Sequence, residues 1–253
     1  GASASGNTII FVLPHQIGVL DSNTANTNTG IEIAALVKGV ATGFLTNTIG
    51  CIETLNTEIS WLPWTSQLGD TKLQYTSSQV QKIASVANSE LNVNIKDAIV
   101  GLNSYYLGKV LDKYAYILLT VSEIVQDSSV TASTLESMKE AFDAIFQGQQ
   151  AFPLIYDSKF GGVVSNCDWS SMSSTSDDFG NSHYNDHHFH YGYIIHAAAV
   201  VGYVDQQAGG TWAKDNEDFI NALIRDVANP SSSDSYFPVS RYFDWFDGHS
   251  WAS

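Results

Sequence analysis

The spacing of apolar residues changes along the chain. Over residues 1–65 they come in short runs broken by Gly, Thr and Pro, the pattern of strands and loops. "NTIIFVLP" (7–14) predicts a strand stopped by Pro14. "VKGVATGFLT" (37–46) and "IGCIETLN" (49–56) predict two more. Between them, "GVLDSNTANTNTGIE" (18–32) reads as a polar loop rich in turn residues.

After "WLPW" (61–64) the period becomes helical. "SSQVQKIASVANSEL" (77–91) predicts a Ser-capped helix, and 97–125 predicts two helices or one buried helix with a lead-in. Residues 131–149 predict a helix opened by a capping-box-like Thr131–Glu136 region and closed near Gly148. Two more are predicted over 183–205 and 212–229, the latter stopped by Pro230. Residues 156–181 read as a long loop with little secondary structure, and 230–253 as an irregular aromatic tail. Loops of that length inside a compact domain are usually functional. The fold class is mainly α, with successive helices in a layered or toroidal array behind a small β/loop region.

With 253 residues, 44% of them hydrophobic, the chain can bury one large core. No apolar run is long enough to span a membrane, and "GASASG" does not read as a signal peptide. Eleven Lys+Arg against 26 Asp+Glu give a formal net charge of −15. Such a surface repels phosphate, so nucleic acid and anionic membrane are poor partners and a neutral substrate fits better. Cys51 and Cys167 form no CxxC pair, and their spacing allows one disulfide or two thiols.

The chemistry concentrates in "NSHYNDHHFHYGY" (181–193). Five of the chain's seven histidines (183, 187, 188, 190 and 196) lie within 14 residues, too dense for ordinary core packing to explain the whole window. On a helix, Asp186, His190 and Tyr193 share a stripe at i, i+4 and i+7, and His183 with His187 repeat at i, i+4 beside it. Three readings compete. His183, His187 and His190 have metal-ligand spacing, although HExxH is absent. Asp186 in a partly aromatic cleft suits proton donation to a leaving group. Any single histidine, His196 above all, also fits as a hydrogen-bonded core residue. Elsewhere, Gly161 and Gly162 in "YDSKFGGVVS" (156–165) imply a tight turn or a close approach beside Asp157. Trp169, Trp245, Trp251, Tyr236, Phe243 and Phe246 are candidates to stack on sugars or to fill the core. Arg241 and His249 sit among aromatics as structural hydrogen-bonders or ligand contacts.

The segment "DFGNSHYNDHHFHYGYIIHAAAV" (178–200) resembles the signature of glycoside hydrolase family 81, the endo-β-1,3-glucanases. "FVLPHQ" (11–16), "VKGVATGF" (37–44), "SYYLGKVLDKYAYILLTV" (104–121), "YDSKFGGVVS" (156–165), "RDVANPSSSDSYFP" (225–238) and "RYFDWFDGHSWAS" (241–253) resemble the same family in the same order, over essentially the whole chain.

That resemblance implies a linking region over 1–65 and the first part of an (α/α)6 catalytic barrel over 66–253. It implies an inverting endo-hydrolase of β-1,3-glucan such as laminarin, secreted or extracellular, with intracellular members as the alternative. Asp186 matches the family's general acid. Asp157, His187, His190, Tyr193, Trp245 and His249 are expected to contact substrate, and neither cofactor nor metal is required. The family's general base is a glutamate soon after the "GHSWAS" segment, so it is expected C-terminal to Ser253. The last glutamate here is Glu217. Asp157, Asp178, Asp244 and Asp247 are weaker substitutes. The rival from another class is a glucan-binding fragment that keeps the cleft without catalysis.

Overall fold

A computed structural model describes residues 8–54, 74–167 and 178–251. "WLPW" and Trp169 lie outside the described residues. The chain divides into two compact units, Gly1–Ser60 and Trp61–Ser253.

The first unit is built on a three-stranded antiparallel sheet ordered β1-β3-β2, from β1 (Ile9–Val12), β2 (Asn28–Ala35) and β3 (Gly39–Leu45). Pro14 does stop β1, and it then opens a short helix, α1 (Pro14–Ile17), where its missing N–H is no loss. The expected loop over 18–32 is corrected on two counts. Asp21 caps α2 (Ser22–Ala25) by accepting from Thr24 N at 2.7 Å, and β2 begins at Asn28. The expected strand over 49–56 is also corrected. Gly50 N bonds Thr24 Oγ1 (3.0 Å), Asp21 N bonds Gly50 O (2.8 Å) and Ile52 N bonds Val19 O (2.6 Å). These bonds tie the segment to the 19–24 loop through the single bridge Leu20–Cys51, not to the sheet.

The second unit is mainly helical. Its helices are α3 (Ser77–Glu90), α4 (Ile95–Ile99), α5 (Ser104–Thr120), α6 (Ser128–Phe146), α7 (His187–Gln207), α8 (Trp212–Asp215) and α9 (Glu217–Ala228). The 97–125 segment resolves into α4 and α5, and a π-helical turn (Val121–Val125) follows α5. Their starts follow capping chemistry that moves two expected boundaries. Thr76, not a serine, caps α3 in a reciprocal box with Gln79, and Asp127 starts α6 ahead of Thr131 by accepting from Ser129 N and Val130 N.

Leu107, Leu111, Ala115 and Leu118 repeat at helical spacing along α5 and are buried against Ile194, Ala197 and Val201 of α7. Met138 and Phe142 of α6 and Leu223 of α9 complete this core. The two central helices approach closely at Gly108, where a Cβ would lie 3.1 Å from the His190 carbonyl and from Tyr193 Cβ.

The described residues of 156–181 carry more secondary structure than the expected loop. β4 (Leu154–Asp157) and β5 (Gly162–Ser165) form a hairpin, and a 3₁₀ turn spans Asn181–His183. Gly161 makes the turn at φ 66°, and its amide returns to Asp157 O at 2.9 Å. The tail contains a smaller hairpin, β6 (Phe243–Asp244) with β7 (His249–Ser250). Cys51 and Cys167 are free thiols, the first exposed and the second buried.

Candidate active site

Asp186 does not sit on the helix, as the stripe requires. It precedes α7 as its N-cap residue, with φ 51° and ψ 31°. Its carbonyl accepts from Phe189 N (2.9 Å) and His190 N (3.1 Å), whereas its side chain does not cap the helix. The half-buried carboxylate meets Asn185 Nδ2 at 3.2 Å. Phe179 (φ 52°) and Tyr184 (φ 65°) are left-handed as well. Left-handed non-glycine residues each cost about 1–2 kcal/mol and persist only where the surroundings over-determine them. The loop that presents Asp186 is held in that state.

His187 does much of the holding. Its ring is fully buried, so the expectation that it lines a cleft is corrected. Nδ1 lies 2.5 Å from Asp226 Oδ2, and Nε2 donates to the Asn181 carbonyl at 2.8 Å. The i, i+4 pairing of His183 with His187 is corrected too, because His183 ends the 3₁₀ turn before the helix and is itself exposed. Among the described residues no group of three His, Cys, Asp or Glu is placed to hold a metal ion.

His190 is also fully buried. Its Nδ1 bonds Ser104 Oγ at 2.7 Å and lies 3.7 Å from Asp178 Oδ1. Its Nε2 is buried with no hydrogen-bond partner. Burial pushes the imidazole down to about 4 against the opposing charge of Asp178, so the ring is neutral. Asp178 is fully buried and accepts from Ser104 N and Tyr105 N, both at 3.3 Å, while Asn103 accepts from Tyr106 N at 3.0 Å. The first three N–H groups of α5 are thereby satisfied, with a carboxylate where the helix dipole favours one. His190 and Tyr193 face Tyr105, with ring centroids 5.4 and 6.1 Å away. Burial raises Tyr193 above the usual phenol range.

Next to Asp186, His188 Nδ1 and the Tyr242 hydroxyl are also buried without partners, and the two rings lie 5.5 Å apart. Burial lowers His188, partly offset by the Asp186 charge, and raises Tyr242, which feels Asp226 and Asp186 as well. Two buried polar groups without partners thus lie where they feel the carboxylate's charge.

Asp157 accepts from the Tyr184 hydroxyl at 3.0 Å and from Lys159 N at 2.8 Å. Burial pushes its carboxyl up, and these bonds outweigh that and hold it below its ordinary value. The Tyr184 ring stacks on His187 at 5.1 Å, beneath the Arg241 guanidinium at 4.3 Å. Arg241 donates to the carbonyls of Phe160 (3.0 Å) and Gly161 (2.7 Å), which pins the first hairpin.

Trp245 and His249 belong to the second hairpin. Trp245, Phe246 and Trp251 are about half exposed (53, 49 and 53%) and line a cavity of about 640 Å³ with Arg241 and Tyr242. The hairpin is organised by Asp244, which accepts from Trp251 Nε1 (3.0 Å), Phe246 N (2.9 Å) and Asp247 N (3.1 Å). The indole bond and these amides hold its carboxyl at about 2. His249 Nδ1 bonds the Ser250 carbonyl at 3.0 Å and its ring meets the edge of Trp251 at 4.6 Å.

Asp226 escaped the sequence reading, although a signal existed. Phe219, Leu223 and Asp226 fall at i, i+4 and i+7 of α9, so a carboxylate occupies the apolar stripe. A charged residue at such a position is almost never buried unless paired.

Residues 74–253 match the glycosyl hydrolase family 81 C-terminal domain and residues 1–66 its N-terminal domain. A primary septum glucan endo-1,3-beta-D-glucosidase of Schizosaccharomyces pombe is 41% identical over 97% of this chain and 23% of its own length. A glucan endo-1,3-beta-D-glucosidase 2 of Saccharomyces cerevisiae is 35% identical over 100% of this chain and 32% of its own. The chain therefore spans about a quarter to a third of these relatives. Among solved structures, a family 81 glycoside hydrolase of Clostridium thermocellum superposes with TM-score 0.61 at 26% identity, over 100% of this chain and 32% of that one.

Proposed function

The chain belongs to glycoside hydrolase family 81, and from that premise we propose that it forms part of an endo-acting hydrolase of β-1,3-glucan. In this reading residues 1–65 are a linking region and 66–253 the first part of an (α/α)6 catalytic barrel. The protein works outside the cell on polysaccharide and needs no cofactor.

Asp186 is the general acid. It protonates the glycosidic oxygen as the C1–O bond breaks, while a second carboxylate takes a proton from the water that attacks C1 from the opposite face. The product anomer is inverted, and the carboxylates stand about 6.5–9.5 Å apart to admit the water. The second carboxylate is the glutamate that the resemblance places after "GHSWAS". Three of the four carboxylates weighed as substitutes have other work: Asp178 caps α5, Asp157 holds Tyr184, and Asp244 organises the second hairpin.

The observation that carries this reading is the placement of Asp186. It is a half-buried carboxylate on a strained N-cap, close enough to His188 and Tyr242 for its charge to act on both. Tyr193 offers a hydroxyl to the sugar, and Trp245 and Trp251 offer faces on which pyranose rings stack, whereas His190, expected to contact substrate, is fully buried against Ser104. Digestion of laminarin by a chain extended past Ser253 to carry that glutamate, followed by size analysis and by proton NMR of the first product, tests it. Internal cleavage with the α-anomer appearing first is expected. Release of single glucose units or of the β-anomer contradicts it, and retention without cleavage returns the chain to the binding reading.

A further inference from the structure

We infer that Asp226 is a positioning residue for Asp186, acting through His187; the inference rests on the reading of Asp186 as general acid. Asp226 is fully buried on α9, and its two oxygens do separate work. Oδ2 meets His187 Nδ1 at 2.5 Å, and Oδ1 accepts from Val163 N of β5 at 3.0 Å. Arg241 Nε stands 3.7 Å from Oδ1. The other nitrogen of His187 donates to the Asn181 carbonyl, and the Asn181 side chain accepts from Ser165 N at 2.7 Å. One carboxylate therefore joins α9, the first hairpin, the 3₁₀ turn and the first residue of α7.

Asp186 is the residue immediately before His187 in the chain. Its left-handed backbone is fixed on the N-terminal side by the turn and on the C-terminal side by the start of the helix. His187, the residue on its C-terminal side, bonds the turn on its N-terminal side and is anchored to α9 through Asp226, which is how an unfavourable backbone is over-determined. A carboxylate that orients an imidazole usually fixes both its tautomer and its ring plane. Here the oriented ring touches no substrate; it sets the direction in which its neighbour's carboxyl leaves the loop. Tyr184 on one face of the ring (5.1 Å) and Tyr242 at 5.5 Å confine it further.

The test is Asp226→Asn in a chain extended past Ser253 to carry the second carboxylate, assayed beside the wild type of the same length on two substrates. One is a laminari-oligosaccharide, whose glucosyl leaving group needs a proton. The other is the 2,4-dinitrophenyl glycoside of the same sugar, whose phenolate leaves without one. A misplaced general acid lowers kcat on the oligosaccharide by about 100-fold or more, the usual contribution of acid catalysis, and lowers the aryl substrate far less. An equal fall on both substrates means Asp226 serves only the fold, and overturns the inference. A wild-type chain that cleaves neither substrate instead overturns the glucanase reading, and the positioning role with it. A second measurement does not depend on the variant folding. The wild-type proton spectrum is expected to show a far-downfield His187 Nδ1–H resonance, and its absence overturns the inference as well.

Discussion

His190 gives the sharpest quantitative consequence of this packing. Its ring is fully buried and its titration is pushed down to about 4, from an ordinary value of about 6.5 in the unfolded chain. Acidification is the perturbation. Below pH 6.5 the unfolded state takes up a proton that the native ring refuses until about pH 4. The unfolded state therefore binds more protons across that window, and stability falls as pH falls. The slope approaches ~1.4 kcal/mol per pH unit, and from pH 7.5 to 4.5 the loss assigned to this ring is on the order of 2–3 kcal/mol. Urea unfolding of the wild type and His190→Asn at both pH values isolates it, because Asn keeps a polar group facing Ser104 without titrating. The stability advantage of the wild type over the variant is expected to shrink by about 2–3 kcal/mol on acidification. A constant difference, or a His190 ring that titrates near 6.5 by NMR, refutes the reasoning.

Two further outcomes follow from the same cluster and its neighbour. A Cβ at Gly162 would collide with the Tyr184 ring and lie 2.6 Å from Asp226 Oδ1 and 2.9 Å from Arg241 Nη2. Gly162→Ala is expected to cost about 1–3 kcal/mol in thermal or urea unfolding, and a loss within about 0.5 kcal/mol would show that this junction is loose. Trp245→Ala removes a half-exposed stacking face and is expected to weaken laminari-oligosaccharide binding about tenfold, about 1.4 kcal/mol by calorimetry, with little effect on folding. Unchanged affinity would leave the second hairpin outside the binding surface.

The large helices were legible because burial imposed a period on them. Leu107, Leu111 and Leu118 repeat on one side of α5, and the small residues of "HAAAVV" let α7 pack beside it. β2 was not legible because it buries almost nothing: Ile31 and Ile33 are both 47% exposed, so no alternation marks it. The β4–β5 hairpin was hidden by Gly161 and Gly162, which read as loop while serving as its turn and its closest approach. At the site, the density of histidines marked the right window, but helical spacing could not reveal that Asp186 stands outside the helix in a left-handed conformation. That state comes from tertiary contacts of His187, whose partner Asp226 is 39 residues away. The same contacts buried His187 and His190, two residues that spacing alone offered to a ligand.

The central claim is that Asp186 supplies the proton that breaks a β-1,3-glucosidic bond. Reducing-end release from laminarin measures this directly, in a chain extended past Ser253 to carry the second carboxylate and in the Asp186→Asn variant of that chain. The account predicts turnover in the wild type, its loss by about 100-fold or more in the variant, and unchanged retention of laminarin by both. Equal turnover in the two would contradict it, since another group would then be donating the proton.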